Sequence, residues 1–201
     1  MEASSYSRDL TDKFAEQALE EPQLLFRETI RCPSCGSVSL ALETYLYKVP
    51  HFGNIIIDRG ICASCGFKYR DVRVAETDKP KKIIVRVEGE QELRYLVVKP
   101  SSASILIPEK GYESIPGPYS PGYITTVEGI LSSFLEAVKI ACRDSDQAQC
   151  KEHAEWLSRA IEGLESFTLV MCDYEGTGKI LGEKVVIKNL DRECKLRNKL
   201  K

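Results

Sequence analysis

"RCPSCGSVSL" at residues 31–40 and "GICASCGFKY" at residues 60–69 carry the reading on which the fold turns. Each holds a Cys-x-x-Cys-Gly knuckle, and 26 residues without a cysteine separate Cys35 from Cys62. In such a knuckle the intervening residues curl so that both sulfurs face one point. The glycine that follows, Gly36 or Gly66, admits the positive φ that the turn needs. Two knuckles supply four thiolates, the soft tetrahedral shell that accepts Zn2+ at roughly 2.3 Å. A redox dithiol and an iron–sulfur cluster are the other uses of paired cysteines. The matching "PSCG" and "ASCG" frames favour zinc, with Cys32, Cys35, Cys62 and Cys65 as ligands. Four sulfurs fill the shell and leave no position for an activated water, so the expected role is structural.

The spacer has room for a β-hairpin that lays the knuckles side by side. "LALETYLYKVP", "NIIIDRGI" and "FKYRDVRV" read as strand-like runs, and the segment Pro50 to Asn54 between the first two is rich in turn formers. The β-like texture runs from Glu28 to about Ala75. The domain boundaries follow: residues 25–76 as a zinc ribbon, residues 1–24 as an N-terminal extension, and the polar "ETDKPKK" at 76–82 as the connector. Within the extension, Leu10, Phe14, Ala15, Ala18 and Leu19 trace a weakly amphipathic helix over 8–20.

Beyond the connector, "IIVRV", "YLVVKP" and "SASILIPE" are short strands punctuated by Pro100 and Pro108. "YESIPGPYSPGYI" at 112–124 holds three prolines and two glycines, which excludes helix or central strand and indicates an ordered loop. The period then changes. Thr125 and Glu128 fit a capping box, and Val127, Ile130, Leu131, Phe134, Leu135 and Val138 follow at helical spacing, predicting a helix over 126–141. A second helix over about 147–163 places Cys150, Ala154, Leu157, Ala160, Ile161 and Leu164 on one face, with Trp156 expected to be buried. The short connection makes the pair an antiparallel hairpin. "SFTLVMCDYEGTGKI" reads as strand and turn, "KVVIKNL" as strand, and residues 191–201 as a basic tail.

Among the 201 residues, 28 basic and 30 acidic ones leave a net charge of −2, so no global field favours nucleic acid or an anionic membrane. No apolar window suffices for a membrane span, and the N-terminus lacks the apolar core of a secretory signal. Eight cysteines without an export signal predict a reducing compartment and a cytoplasmic protein. The remaining Cys142, Cys150, Cys172 and Cys194 have no paired spacing. Cys150 and Cys172 are expected to pack as small hydrophobes, and a disulfide between Cys142 and Cys150 is not expected.

"GTGK" at 176–179 lacks the glycine and hydroxyl residue that a phosphate-binding loop requires at the positions of Asp173 and Ile180, so it reads as a β-turn. His51 and His153 are the only histidines, and no nucleophile–base constellation stands out; the sequence reads as non-enzymatic. The ribbon does mix Tyr45, Tyr47, Phe52, Phe67 and Tyr69 with Lys48, Arg59, Lys68, Arg70 and Arg73. Alternation on a small sheet forces some of these outward as a contact face for protein or RNA. The candidate partner-binding residues are His51, Phe52, Phe67, Tyr69 and Arg70.

"CPSCGS" followed by "YKVPHFGNIIIDRGICASCGFKYRDVRV" resembles the finger of the ZPR zinc-finger protein family, which places a Pro-His-Phe turn and an Ile-Ile-Ile run before its second knuckle. "SASILIPE", "ITTVEGIL" and "FTLVMCDYEGTG" resemble successive blocks of that family's companion domain, so the likeness runs in order over roughly 25–185. The resemblance implies a ribbon followed, over 77–190, by a double-stranded β-helix of the cupin or jelly-roll kind with the helical hairpin of about 126–163 inserted. It places His51 in the hairpin turn. Eukaryotic members carry the unit twice; one copy here resembles single-unit archaeal relatives. The family's binding of translation elongation factor 1-alpha, and assistance to its folding, implies an adaptor or chaperone for the archaeal counterpart of that factor, acting as monomer or homodimer. A cupin-like barrel also raises a histidine-bound catalytic metal, for which two histidines outside the barrel strands offer no ligand set. "DYEGTG" departs from the family's late turn. A second reading is RNA or ribosome binding through the basic residues at 68, 70, 73, 79, 81 and 82.

Overall fold

The protein is described here from a computed structural model that covers residues 21–50, 52–143, 148–190 and 194. The helix expected over 8–20, His51 and nearly all of the tail at 191–201 lie outside the described residues.

Four strands, β1 (Gln23–Arg31), β2 (Val38–Val49), β3 (Gly53–Cys62) and β4 (Lys68–Val74), form an antiparallel sheet in chain order. The β2–β3 hairpin is registered from Val49 against Gly53 to Leu40 against Cys62, which brings the second knuckle beside the first. Gly53 turns the chain at φ 83. β1 starts upstream of the β-like texture. It is an edge strand on which Leu24, Leu25 and Phe26 are all exposed, so no burial enforces the alternation that marks a strand in sequence.

The second unit buries one core between two sheets and the helices. In chain order its elements are β5 (Lys81–Val87), the short helix α1 (Glu90–Leu93), β6 (Leu96–Lys99), β7 (Ser104–Ile107), β8 (Tyr112–Ser114), β9 (Tyr123–Thr126), α2 (Val127–Ala141), α3 (Ala148–Ile161), β10 (Phe167–Asp173), β11 (Lys179–Leu181) and β12 (Val185–Asn189). The larger sheet runs β12-β5-β10-β7-β8 and the smaller β11-β6-β9. This is a jelly roll with a helical insertion. Alternate residues of β5 and β10 point inward: Ile83, Val85 and Val87, with Phe167, Leu169 and Met171 against them. Helices α2 and α3 lay Ile130, Leu131, Trp156 and Leu157 on the same core. Trp156 is buried as expected, edge-on to Phe167 at 5.7 Å, and its indole N–H donates to Glu165.

Two expectations are corrected. Helix α2 is capped by Thr126, whose hydroxyl accepts from Gly129 N–H at 3.0 Å. Thr125 is still paired with Val97 in the sheet, so the cap falls one residue later than the box placed it. The four remaining cysteines form two disulfides, Cys142–Cys150 and Cys172–Cys194, with Cα atoms 5.9 and 6.0 Å apart, within the usual span of such bonds. The first closes the helical hairpin, because antiparallel packing returns α3 to the end of α2. The second fixes residue 194 against β10, where Leu106 and Leu190 enclose it.

Ribbon and jelly roll are clasped at several points. Phe52, Ile55 and Val98 form a shared cluster that Val49, Val72 and Leu181 flank. Asp71 accepts from both the backbone N–H and the hydroxyl of Ser101, at 2.9 and 3.0 Å. Asp71 stands directly across from Asp58 in the sheet, a like-charge pairing that destabilises unless bridged. Arg73 bridges the two, and Thr44 donates to Asp58.

The "GTG" turn wraps a wholly buried carboxylate: Asp173 accepts from the N–H groups of Gly176, Thr177 and Gly178. The turn returns two backbone bonds to the connector side, from Val74 N–H to Thr177 and from Asp78 N–H to Gly176. Gly176 has φ +72, and a Cβ there would sit 1.9 Å from the Asp78 carbonyl oxygen, so only glycine fits.

Candidate metal centre and the sheet face beside it

The two knuckles are built alike. Gly36 N–H donates to Cys32 and Gly66 N–H to Cys62, at 2.8 and 2.9 Å, and both glycines hold φ near +74, at 74 and 73. Return bonds from Cys32 N–H to Ser37 and from Cys62 N–H to Phe67 close each loop. The sulfurs of Cys32, Cys35, Cys62 and Cys65 thus converge, all within 4.8 Å of one another. Cys32 and Cys65 sulfurs are 3.8 Å apart, and those of Cys35 and Cys62 are 3.7 Å apart. Four sulfurs about 2.3 Å from a central zinc define a tetrahedron whose edges are about 3.8 Å. The spacing is that of a zinc site.

The crowded sulfurs perturb one another in opposite directions. Ser39, whose hydroxyl lies 3.1 Å from the Cys62 sulfur, is the main cause holding that thiol down at about 6. A Ser37 backbone bond favours the Cys35 thiolate, yet contact with Cys65, burial, and contacts with Cys32 and Cys62 outweigh it and push that thiol up to about 12. Four thiolates this close are held together by a divalent cation that offsets their mutual repulsion. Ser64 donates to Ser39 at 2.8 Å and reaches Ser37 at 3.2 Å, so a chain of hydroxyls backs the sulfurs. Such groups orient the ligands and tune the metal.

The jelly roll touches this centre through the proline-rich loop between β8 and β9. Tyr119 lies edge-on to Phe67 with ring centroids 5.3 Å apart, and its hydroxyl donates to the Pro33 carbonyl. Gly122 lets the loop press on β4, since a Cβ there would meet Asp71 at 2.0 Å.

The remaining sequence candidates separate by face. Phe52 is only 4% exposed and sits in the joint between the units, where burial outcompetes exposure. Phe67 and Tyr69 are half-buried and pack behind the metal cluster. Arg70 is exposed on the opposite face. Of the basic residues considered for RNA, Arg73 and Lys81 are consumed in ion pairs with Asp58 and Asp78. His153 lies near Tyr112, their rings 5.4 Å apart, away from the sulfurs.

A groove that sequence reasoning did not find runs over the outer face of the ribbon sheet, with a volume of about 1250 Å³. Its signal was present only as the alternation of Lys68, Arg70 and Val72 on β4. No helix among the described residues is long and apolar enough to cross a membrane.

Comparison with known proteins agrees with this architecture. The family description "ZPR1 zinc-finger domain" matches residues 27–79, and "ZPR1 jelly-roll domain" matches residues 91–198. An uncharacterized ZPR1-like protein of Methanocaldococcus jannaschii is 34% identical over 171 residues, covering 83% of this chain and 86% of that protein. A second, from Pyrococcus horikoshii, is 28% identical over 170 residues, covering 81% of this chain and 76% of that protein. The zinc finger chaperone zpr1 of Schizosaccharomyces pombe is 31% identical over 152 residues, covering 71% of this chain and 33% of its own length.

Proposed function

The chain belongs to the ZPR1 zinc-finger family, and from that premise we propose that it is a protein-interaction module, an adaptor or folding chaperone for the archaeal counterpart of translation elongation factor 1-alpha. Cys32, Cys35, Cys62 and Cys65 hold one Zn2+ and give the ribbon its rigidity.

The observation that carries the reading is the closed four-sulfur cluster built into the clasped ribbon and jelly roll. A filled shell has no place for substrate, so its contribution is shape. A small sheet held by metal presents a surface without depending on a large core of its own. The printed name of the fission-yeast relative, a zinc finger chaperone, supports the chaperone side of the proposal.

The test is refolding of chemically denatured archaeal elongation factor with and without the zinc-loaded chain, combined with co-purification of the two. Higher recovery of GTP-binding factor, lost on removing zinc, is expected. Absence of both rescue and complex, with zinc retained, overturns the proposal.

A further inference from the structure

We propose that the outer face of the ribbon sheet binds an extended peptide with acidic residues at alternate positions followed by an apolar one. The inference deepens the protein-binding reading above and rests on it.

The face is built from register. Arg27, Glu43, Arg59 and Arg70 form one row across all four strands, since Arg27 pairs with Glu43, Glu43 with Arg59 and Arg59 with Arg70. The row is about 14 Å long at ordinary strand spacing. Its one carboxylate is shared: Glu43 holds Arg27 at 2.8 Å and Arg59 at 2.7 Å. Arg70 and its neighbour Lys68 are exposed and form no ion pair with any described residue. Arg59, already paired with Glu43, and Arg70 stand directly opposite each other, so Arg70 is the member of this like-charge pair left without an anion.

The floor is aliphatic. Ile61 is 60% exposed and Ile124 41% exposed, and both line the groove with Ala41, Ile57 and Val72. Exposed branched side chains at the base of a concave surface mark an interaction site. The lining also holds Glu28, Glu43, Asp58 and Asp71, of which Glu43 is paired with Arg27 and Arg59, and Asp58 and Asp71 with Arg73, so the cations left to a ligand are Lys68 and Arg70. Along β4 the outward positions read Lys68, Arg70, Val72. They recur about every 6.7 Å, the repeat of alternate residues in an extended strand. A second hollow of about 230 Å³, walled by Tyr119 and Pro121, flanks the same two cations. The complementary ligand is acidic, any residue, acidic, any residue, apolar. Single-stranded RNA is the poorer fit, because sequence-tolerant binding of bases uses exposed aromatic platforms, and the rings at this face are engaged: Tyr119 edge-on with Phe67, Tyr123 with Lys99, and Tyr45 with Glu43 and Arg59.

The probe is a dye-labelled peptide containing Glu-Ser-Glu-Ser-Leu, titrated by fluorescence polarisation into the zinc-loaded full chain. Saturable binding that weakens with salt is expected, reduced tenfold or more by Arg70→Glu and by Lys68→Glu, and unchanged by Lys139→Glu on α2. Ile61→Asp keeps the cations and should abolish the advantage of Leu over Ser at the last position. Zinc content and melting of each variant verify its fold, and Ile61→Asp decides the matter should both charge reversals fail to fold. No binding, equal binding of a lysine-for-glutamate peptide, tighter binding of single-stranded RNA at the same site, or a self-dimer abolished by Arg70→Glu would each overturn the inference. Elongation-factor rescue that persists in Arg70→Glu removes the groove alone, whereas peptide binding without rescue removes the elongation-factor reading alone.

Discussion

The hydroxyl of Tyr119 donates a hydrogen bond to the carbonyl of Pro33 at 3.2 Å, so a loop of the jelly roll closes over the first zinc knuckle. Tyr119 also covers Phe67, beside the second knuckle. The metal centre and the jelly roll are therefore coupled through one side chain. Tyr119→Ala should remove about 1 kcal/mol of support and speed zinc transfer to a colourimetric chelator roughly fivefold. An unchanged transfer rate would show that the loop merely rests on the knuckles.

Cys35→Ser removes a ligand whose partners are all within 4.8 Å. Zinc measured by mass spectrometry should fall from one per chain to near zero, and hydrogen exchange should show loss of protection over 30–75, because metal binding and ribbon folding are one event. Full zinc retention in this variant would contradict the four-ligand assignment.

Phe52→Ala opens the joint between ribbon and jelly roll, where Phe52 is 4% exposed. A loss of about 3–5 kcal/mol is expected, read from denaturant melts, with separation of a single transition into two. A change in partner affinity at unchanged stability would instead return Phe52 to the contact surface.

The disulfides join residues 8 and 22 apart in sequence. On loop-entropy grounds Cys142→Ser should cost about 2.5 kcal/mol and Cys194→Ser about 3.4 kcal/mol. Thiol titration in denaturant and chelator should find four reactive groups, for the four free cysteines, rising to all eight after reduction. Eight at the outset would mean that these bonds do not form.

Glu92 is 2% exposed and its carboxyl is held below the ordinary value, first by the Lys184 ammonium at 2.9 Å and also by Glu88 N–H. A depressed carboxylate contributes stability that is complete above its unfolded value near 4.5 and is lost as pH falls through the folded value. The melting temperature should therefore decline below about pH 4.5. Lys184→Met should lower it at neutral pH and flatten that acid limb. Parallel acid limbs in the two proteins would exclude the pair as a source of the pH dependence.

Much of the metal centre was legible because it is local. Cys-x-x-Cys-Gly specifies each knuckle through one glycine and a few backbone bonds, and the turn formers around Gly53 announce the hairpin that joins them. Helices α2 and α3 were legible for the same reason, their apolar period being written within one element, whereas the single turn α1 is too short to carry such a period. The cap moved from Thr125 to Thr126 because strand β9 holds Thr125 in register with Val97, a partner 28 residues away that no local pattern reveals.

What spacing left open, three-dimensional packing decided. The sequence by itself determined four converging sulfurs, a β-rich body and a helical pair, each set by neighbours along the chain. Only the tertiary structure joined Cys172 to Cys194, turned Phe52 inward, spent Arg73 on two carboxylates and left Lys68 and Arg70 facing an open groove. The physical reason is that burial, ion pairing and disulfide bonding depend on which surfaces meet after folding, and the period of a strand says which residues share a face but not what that face will touch.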